Sequence, residues 1–444
     1  MDSDIARFYQ QCDPAKPLAP GDKRYVLPPE GARGEGDQIR QLANAIRWSD
    51  TPLHLLFAGH RGGGKSTELL RLKEDLANPP AGQPRFFVVY FEADDEDIDV
   101  NDADLPDILL AMIRQVAKAL REGAGIELRP SWLSTFFDNM KHLLGSEVEL
   151  TGVELDAKIA KFTAAIKTSP DARHKIRKAL EPQVSNLLTA ANDLLDDAAI
   201  GLRQRGFQDL VLIVDNLDRI VLRDIPNSQF NTHEQLFINR GAQLADVRCH
   251  VLYTLPISMV FSPKGTALVN VFGRQACVLP MVKIADRSGK DADGLKVMRD
   301  LVDKRLAAAG INRAAAFDTD ETLDYLCRKS GGHMRNLLIL LRAACTDAGH
   351  LPLTLQVAER AVRGMSTDFE RALNAPAYFE VLRSVQKTRA LPGSPDDQLL
   401  LYNLSILEYL NAAAWYAVNP AILLLEKFGP ARAPRPKAKR KKAR

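Results

Sequence analysis

The sequence predicts an α/β fold in which helices flank a parallel sheet and a helical region follows the sheet. Helical patterns separate short apolar runs of the kind that form strands buried on both faces, as a doubly wound parallel sheet requires. After the last of these runs, the periodicity is helical through residue 373. The predicted strands lie within residues 53–59, 85–93, 209–220, 249–256 and 276–284.

The composition indicates a globular chain without a strongly basic body. The chain has 444 residues, of which 46% are hydrophobic, so it is long enough to bury more than one domain core. Its formal net charge is +3, and residues 431–444 alone contain eight Lys or Arg, so the rest of the chain is net negative. A contact with nucleic acid is therefore expected to be local to this tail. The alternative is that the tail is a disordered solubilising extension.

Cysteine spacing and the distribution of apolar residues indicate a cytoplasmic protein. The five cysteines are odd in number and form no Cys-x-x-Cys pair, which argues against a disulfide framework and a structural zinc site. The first residues show no basic segment followed by an apolar stretch, and no apolar run approaches the ~18 residues of a membrane-spanning helix. We therefore expect no membrane association.

Residues 57–72 contain a phosphate-binding loop between a predicted strand and a predicted helix. Gly59 to Ser66 fits the pattern G-x-x-x-x-G-K-[ST], and the flanking elements argue against a chance match by a glycine-rich turn. Glycines let backbone N–H groups curl around a phosphate, and the helix N-terminus adds a partial positive charge. Lys65 is expected to reach the β- and γ-phosphates, and the Ser66 hydroxyl to bind Mg²⁺. The predicted residues for binding ATP with Mg²⁺ are Gly59, Gly62, Gly63, Gly64, Lys65, Ser66 and Thr67.

An aspartate lies at the end of the predicted strand within residues 209–220. Mg²⁺ that is bound with a nucleotide needs a carboxylate at such a strand end. Asp215 follows four branched apolar residues and is expected to hold the Mg²⁺ hydration shell beside Ser66. Asp218 is the residue predicted to polarise the attacking water. Position 216, where many ATPases with a phosphate-binding loop have glutamate, is Asn216. A solvent-facing acidic loop is the alternative for Asp218.

The strand at 249–256 carries one further candidate, and a long insertion precedes the Asp215 strand. Thr254 is a candidate contact for the γ-phosphate or the attacking water, or a simple strand-end hydroxyl. Residues 95–205 are too long for one crossover and are predicted to be a helical insertion, with a hairpin-like segment at 147–155.

A small helical lid is predicted after the sheet. Within it, two glycines precede a helix whose first turn carries Arg335. An arginine in this position can fork onto a γ-phosphate and report the nucleotide state to the lid. An exposed arginine at a helix start is the alternative.

Residues 374–428 are predicted to form two helices followed by a strand, a turn at 411–414 and a second strand. This is the order of a winged helix. The stretch 404–425 lacks Lys and Arg, so it offers few phosphate contacts, and packing within the protein is favoured over DNA binding.

Together these segments resemble the AAA+ and STAND classes of P-loop ATPases over roughly residues 30–427. The resemblance implies the order of ATPase core, helical lid and winged helix that origin-recognition ATPases have, and a leading helix near the adenine at 33–46. STAND proteins share the aspartate pair Asp215 and Asp218. The segments that carry the resemblance are Walker A at 59–67, Walker B at 212–218, the sensor-1 strand at 251–256 and the sensor-2 helix start at 331–338.

The resemblance also singles out Arg274, just before the fifth strand. In AAA+ ATPases an arginine there often reaches the γ-phosphate of a neighbouring subunit, whereas STAND proteins commonly lack it. A surface arginine on a loop is the alternative.

The sequence therefore predicts a Mg²⁺-dependent ATPase that acts as a nucleotide-dependent switch for a protein partner or for self-assembly, in defence or signalling. The alternative is a DNA-binding ATPase of initiator type that uses the winged helix and the basic tail. The predicted domains are an N-terminal extension with a leading helix at 1–50, the ATPase core at 51–285 with its insertion at about 95–205, the lid at 286–373, the winged helix at 374–428 and the disordered tail at 429–444.

Overall fold

The chain divides into two compact units. The sheet unit comprises residues 17–22 and 36–280, and the helical unit comprises residues 1–16, 23–35 and the chain from 281 onward. The computed structural model describes residues 3–94, 97–127, 155–262, 264–394, 396–411 and 413–428.

The secondary structure alternates strands and helices in the first half of the chain and is mainly helical in the second. The strands are β1 (His54–Gly59), β2 (Phe87–Glu92), β3 (Leu210–Asp215), β4 (His250–Pro256), β5 (Cys277–Leu279), β6 (Ile406–Asn411) and β7 (Ala413–Val418). The longer helices are α1 (Ser3–Gln11), α2 (Gln38–Arg47), α3 (Lys65–Ala77), α4 (Leu105–Ala124), α5 (Leu155–Thr168), α6 (Pro170–Leu180), α7 (Val184–Arg203), α8 (Gly265–Phe272), α9 (Gly294–Ala309), α10 (Asp320–Lys329), α11 (Met334–Ala348), α12 (Leu355–Ala372), α13 (Pro376–Thr388) and α14 (Asp397–Tyr402). Short helical turns lie at Glu181–Gln183, Leu217–Arg219, Thr232–Glu234, Gln235–Asn239, Gly241–Leu244, Ile257–Val260, Arg313–Ala316, Ile422–Leu424 and Glu426–Phe428.

The sheet unit is built on a five-stranded parallel sheet with the order β2-β3-β4-β1-β5. β4 pairs with both β1 and β3 and therefore lies between them. The carboxyl ends of parallel strands meet at one edge of the sheet, which is where ligands bind in open α/β folds. The predicted α/β fold class is confirmed.

The two faces of the sheet pack against different helices. One face packs against α2 and α3, with Ile213 and Leu252 in its apolar cluster, and the other packs against α4 and α7, with Leu212 and Val214 in a second cluster. Because alternate residues of a strand point to opposite faces, Asp215 lies on the α3 face together with Ile213.

The fifth strand is shorter than predicted. It covers only Cys277–Leu279 of the apolar run 276–284. Pro280 follows directly and has no N–H to continue the ladder, which is a physical reason for the strand to end there.

In its described part, residues 97–127 and 155–205, the insertion before β3 contains the helices α4–α7, and ion pairs help to hold this part together. Asp107 forms the capping box of α4 with Asp104, is almost fully buried, and pairs with Arg177 of α6. Arg173, also on α6, pairs with Asp99 at 2.7 Å. Residues 147–154 of the predicted hairpin-like segment lie outside the described residues, and Leu155 begins α5.

In the helical unit, α1 packs with α9–α12 around one apolar cluster. The stretches predicted to be helical at 294–310, 320–345 and 354–373 form α9–α12. A turn at Gly331 and Gly332, both with left-handed φ, separates α10 from α11.

β6 and β7 form an antiparallel hairpin that follows α13 and α14. The predicted four-residue turn at 411–414 is too long, because Asn411 pairs with Ala413 and Leu410 with Ala414. Strand pairing satisfies the backbone hydrogen-bonding groups of Ala413 and Ala414. Alanine is also not one of the residue types that favour turns. The winged helix stays a prediction.

Within the described part of the chain, no helix combines the length and the apolar character needed to cross a bilayer.

Candidate nucleotide-binding site

The loop between β1 and α3 has the backbone that a phosphate-binding loop needs. Gly59, Gly62 and Gly64 have φ values of 154°, 81° and 96°, which side-chain-bearing residues rarely adopt. A Cβ on Gly59 would also lie 2.9 Å from the carbonyl oxygen of Leu279. The amide of Gly63 donates to the carbonyl of His60 at 3.0 Å, which closes the bend before Lys65 begins α3.

The Lys65 ammonium contacts the backbone of the phosphate-binding loop that precedes its helix. Its Nζ donates to the carbonyl oxygens of Gly59 at 2.8 Å and His60 at 3.1 Å. It also forms an ion pair with Asp218 Oδ2 at 2.9 Å, and the two side chains are only 5% and 4% exposed. Asp218 is therefore not in a solvent-facing acidic loop. A bound phosphate would compete with Asp218 for Lys65.

Two hydrogen bonds hold the Asp215 carboxylate at the end of β3. Oδ1 accepts from the amide of Asn216 at 2.7 Å, and Oδ2 accepts from the Tyr90 hydroxyl at 2.8 Å. The Ser66 hydroxyl lies near both side chains and lowers the pKa of Asp215 and of Tyr90, against the larger effect of burial. The structure thus brings together the two residues predicted to hold Mg²⁺.

Burial governs the electrostatics of this cluster. It raises the pKa of the Asp215 carboxyl, and the nearby Asp218 carboxylate raises it further. Burial and Asp215 raise the pKa of Tyr90, so its hydroxyl stays protonated and acts as a donor. A divalent cation would relieve the accumulated negative charge.

The oxygen ligands at this edge fit Mg²⁺ bound with a nucleotide. The Ser66 hydroxyl and the Asp215 carboxylate are hard oxygen donors, and Ser66 is near enough to Asp215 to lower its pKa. Mg²⁺ takes few protein ligands and completes its shell with waters and phosphate oxygens, so two such residues beside a phosphate loop suit it.

The end of β2 supplies functional candidates that the sequence reasoning missed. Glu92 is in register with Asp215, and its Oε2 accepts from Asn216 Nδ2 at 2.8 Å. Burial raises the pKa of Glu92, and Asp215 adds to the effect. The available signal was a glutamate at the end of a predicted strand, but only the strand order shows that this strand adjoins β3.

The two threonines predicted to bind nucleotide already have backbone partners. Thr254 is fully buried, and its hydroxyl accepts from the amide of Leu217 at 2.9 Å and donates to the carbonyl of Val214 at 3.3 Å. The Thr67 hydroxyl accepts from the amide of Leu18 at 3.1 Å.

The two predicted arginines lie in different units. Arg335 is in the first turn of α11 in the helical unit, and its Nε donates to the carbonyl of Pro14 at 3.3 Å. Arg274 is in the sheet unit, is exposed, and follows the left-handed Gly273 that ends α8. No hydrogen bond or ion pair links Arg274 to another described residue.

No family model matches the chain, and no curated protein matches it. Among solved structures, Drosophila ORC bound to DNA is 11% identical, with 94% of this chain and 89% of that chain covered and a TM-score of 0.39. The Aeropyrum pernix ORC1 protein in complex with DNA is 13% identical, with 90% and 91% covered and a TM-score of 0.39. A Walker-type ATPase of Pyrococcus abyssi is 12% identical, with 90% and 98% covered and a TM-score of 0.40. These TM-scores are low, so no functional conclusion follows from the likenesses.

The position of the phosphate loop and the order of the strands define the fold of the sheet unit. The phosphate loop follows β1, Asp215 ends β3, and β4 lies between these two strands. The sheet unit therefore has the fold of a P-loop nucleotide-binding core.

Proposed function

We propose that this protein binds ATP with Mg²⁺ and hydrolyses it to ADP and phosphate. The observation that carries the proposal is the meeting of Lys65, Ser66, Asp215 and Asp218 at the phosphate loop. A buried lysine, a hydroxyl and carboxylates beside a glycine loop are the groups that bind a nucleotide phosphate chain and its cation.

Each residue of this set has a proposed role in the reaction. Lys65 exchanges Asp218 for the β- and γ-phosphates, and Ser66 and Asp215 hold the cation and its water shell. Mg²⁺ neutralises charge on the phosphates when it is bound. Two carboxylates near Asp215, those of Asp218 and Glu92, are the candidates for polarising the attacking water. Thr254 remains a proposed contact of the γ-phosphate, and the role of Arg335 stays a prediction.

The test of this proposal is removal of the Lys65 charge. Lys65→Ala is expected to lose ATP binding or turnover, because the point charge that neutralises the phosphates is gone. Nucleotide affinity is measured with a fluorescent ATP analogue, and turnover by phosphate release. Lys73→Ala is the matched control, since Lys73 lies two turns further along α3 and has no proposed contact. Unchanged affinity and turnover in Lys65→Ala would contradict the proposal.

We further propose that nucleotide exchange drives a switch that a protein partner or a second copy reads, in defence or signalling. The support is the Lys65–Asp218 pair, which binding of a phosphate would break, so that the loop differs between the nucleotide-free and bound forms. Exposed Arg274 is the proposed contact with the γ-phosphate of a neighbouring subunit.

Mixing two inactive variants tests self-assembly. Arg274→Ala keeps its phosphate loop, and Lys65→Ala keeps its arginine. If Arg274 acts on a neighbour, each variant alone is nearly inactive, and the mixture recovers activity, because an arginine of this kind is worth ~10³-fold in rate. Full activity of Arg274→Ala at every protein concentration would instead favour a self-contained switch.

A DNA-binding ATPase is the second candidate function. It is supported by the eight cations of residues 431–444, which would bind phosphates without sequence preference. The hairpin at 406–418 contributes no Lys or Arg to such a contact.

A further inference from the structure

One row of side chains on β2 faces the proposed cation site. Tyr90 and Glu92 are two residues apart and therefore point to the same face of the sheet. That face packs against α3, since Tyr90 packs on the α3 cluster. The Tyr90 hydroxyl donates to Asp215 Oδ2 at 2.8 Å, so this row passes directly beside one of the predicted magnesium ligands. Glu92 is its last member and lies at the carboxyl edge of the sheet.

Asn216 holds the carboxylate of Glu92. Position 216 is where many ATPases with a phosphate-binding loop have the glutamate that polarises the attacking water. Asn216 has a left-handed φ of 66°, and its Nδ2 donates to Glu92 Oε2 and to Asp94 Oδ1, both at 2.8 Å. Both amide hydrogens are thereby used. Asn216 positions the neighbouring carboxylates through its side-chain amide. It cannot itself act as the base, because an amide does not accept a proton from water.

The carboxylates around Asn216 differ in what else they bind. Asp94 forms an ion pair with Arg219 at 2.7 Å, and Asp218 is paired with Lys65. Among the described residues, Asn216 is the only hydrogen-bond partner of the Glu92 carboxylate. Among the described residues, its Oε1 accepts no hydrogen bond, and this oxygen is open to a water molecule because the side chain is only partly buried.

We propose that Glu92 is the general base for the attacking water, and that Asp218 is the counter-ion that Lys65 exchanges for phosphate. This inference rests on the proposed ATPase function. As the water oxygen bonds to the γ-phosphorus, the bond to the β–γ bridging oxygen breaks, and its electron pair leaves with ADP. The water proton passes to Glu92 and from there to an oxygen of the departing phosphate. Glu92 thus supplies the chemistry that position 216 lacks.

Glu92→Gln tests the proposal, with Asp94→Asn as the matched control. Both substitutions remove a carboxylate that accepts from Asn216 at 2.8 Å, but only the first removes the proposed base. Glu92→Gln is expected to lower turnover ~10²-fold or more, the usual scale of base loss, while the affinity for a non-hydrolysable ATP analogue is unchanged. Asp94→Asn is expected to stay within a few-fold of the wild type.

A binding measurement without turnover gives a second readout. ADP with aluminium fluoride mimics the transferring phosphoryl group with its in-line water. Glu92→Gln is expected to bind this complex at least ~10-fold more weakly than the wild type, with ADP affinity unchanged, because the lost interaction belongs to the transition state.

The outcomes separate this inference from the proposed function. Wild-type turnover in Glu92→Gln, or an equal loss in Asp94→Asn, would overturn the role of Glu92. A ~10²-fold loss in Asp218→Asn with an active Glu92→Gln would assign the base to Asp218. A wild-type chain that neither binds nor hydrolyses ATP would contradict the ATPase function itself.

Discussion

At the residue scale, the buried pair of Lys65 and Asp218 has a large energetic consequence. Both side chains are nearly inaccessible to water, and the buried Asp218 Oδ1 atom accepts no hydrogen bond from any described residue. Removing one partner of a buried pair leaves an uncompensated charge, which costs far more than breaking an exposed pair. The phosphate loop therefore depends on a contact that ATP would replace under the proposed function.

Asp218→Asn is expected to destabilise the nucleotide-free protein by about 3 kcal/mol, the lower end for a broken buried pair, because Lys65 keeps its two carbonyl partners. The same substitution is expected to tighten ATP binding several-fold, since Lys65 no longer has to leave a carboxylate. Chemical denaturation and fluorescent nucleotide titration measure the two effects.

Asp196→Asn is the control for this prediction. Asp196 pairs with Arg248 at 2.8 Å, but the two side chains are 49% and 55% exposed. Its loss should leave the stability of the protein almost unchanged, because solvent screens an exposed pair. Equal stability changes in Asp218→Asn and Asp196→Asn would show that the Lys65–Asp218 pair has no special role.

At the element scale, the turn between α10 and α11 shows why two glycines precede the helix that carries Arg335. Gly332 has a φ of 72°, and a Cβ there would lie 1.8 Å from the backbone oxygen of Val282. The Ser330 hydroxyl accepts from the amide of Gly332 at 3.1 Å, and His333 caps α11. The glycines are therefore needed for close backbone approach, and not only for freedom of the chain.

Gly332→Ala and Gly349→Ala together separate the two costs of a side chain in this turn. Gly349 has almost the same φ, 71°, but a Cβ there would meet nothing within 4 Å. Left-handed backbone should cost each variant about 1–2 kcal/mol. Gly332→Ala should lose about 1–3 kcal/mol more from the steric clash, as measured by denaturant unfolding. Equal losses in the two variants would show that the close approach to Val282 is unimportant.

At the scale of the whole molecule, charge is distributed very unevenly along the chain. Residues 431–444 carry eight Lys or Arg, whereas the formal net charge of the full chain is only +3. Electrostatic binding of a polyanion should therefore depend on the tail.

Removal of residues 431–444 is expected to abolish weak, non-specific binding to duplex DNA. In the full chain, the logarithm of the binding constant should fall with the logarithm of salt concentration with a slope no steeper than about −7, the limit for eight phosphate contacts. A salt titration of both proteins measures this. If the shortened protein binds as tightly as the intact one, the DNA-binding surface lies outside residues 431–444.

The sequence by itself determined the features that are local. Strand and helix positions follow from side-chain periodicity, and the glycines, Lys65 and Ser66 form a contiguous motif, so one short stretch specifies the loop. Asp215 could be placed because it directly follows a buried apolar run. The order of the strands was not local information, and neither were the ends of β5 and of the β6–β7 turn.

Only the tertiary structure decided which distant side chains share the site. Tyr90 and Glu92 lie beside Asp215 because β2 pairs with β3 in one register, although the whole helical insertion separates the two strands in sequence. A shift of that register by one residue would turn both side chains to the opposite face. The Lys65–Asp218 pair also depends on the strand order. β4 lies between β1 and β3, and this arrangement places the turn after β3 next to the phosphate loop that follows β1. Strand pairing depends on backbone hydrogen bonds between segments far apart in the chain, and side-chain patterns within one segment do not encode it.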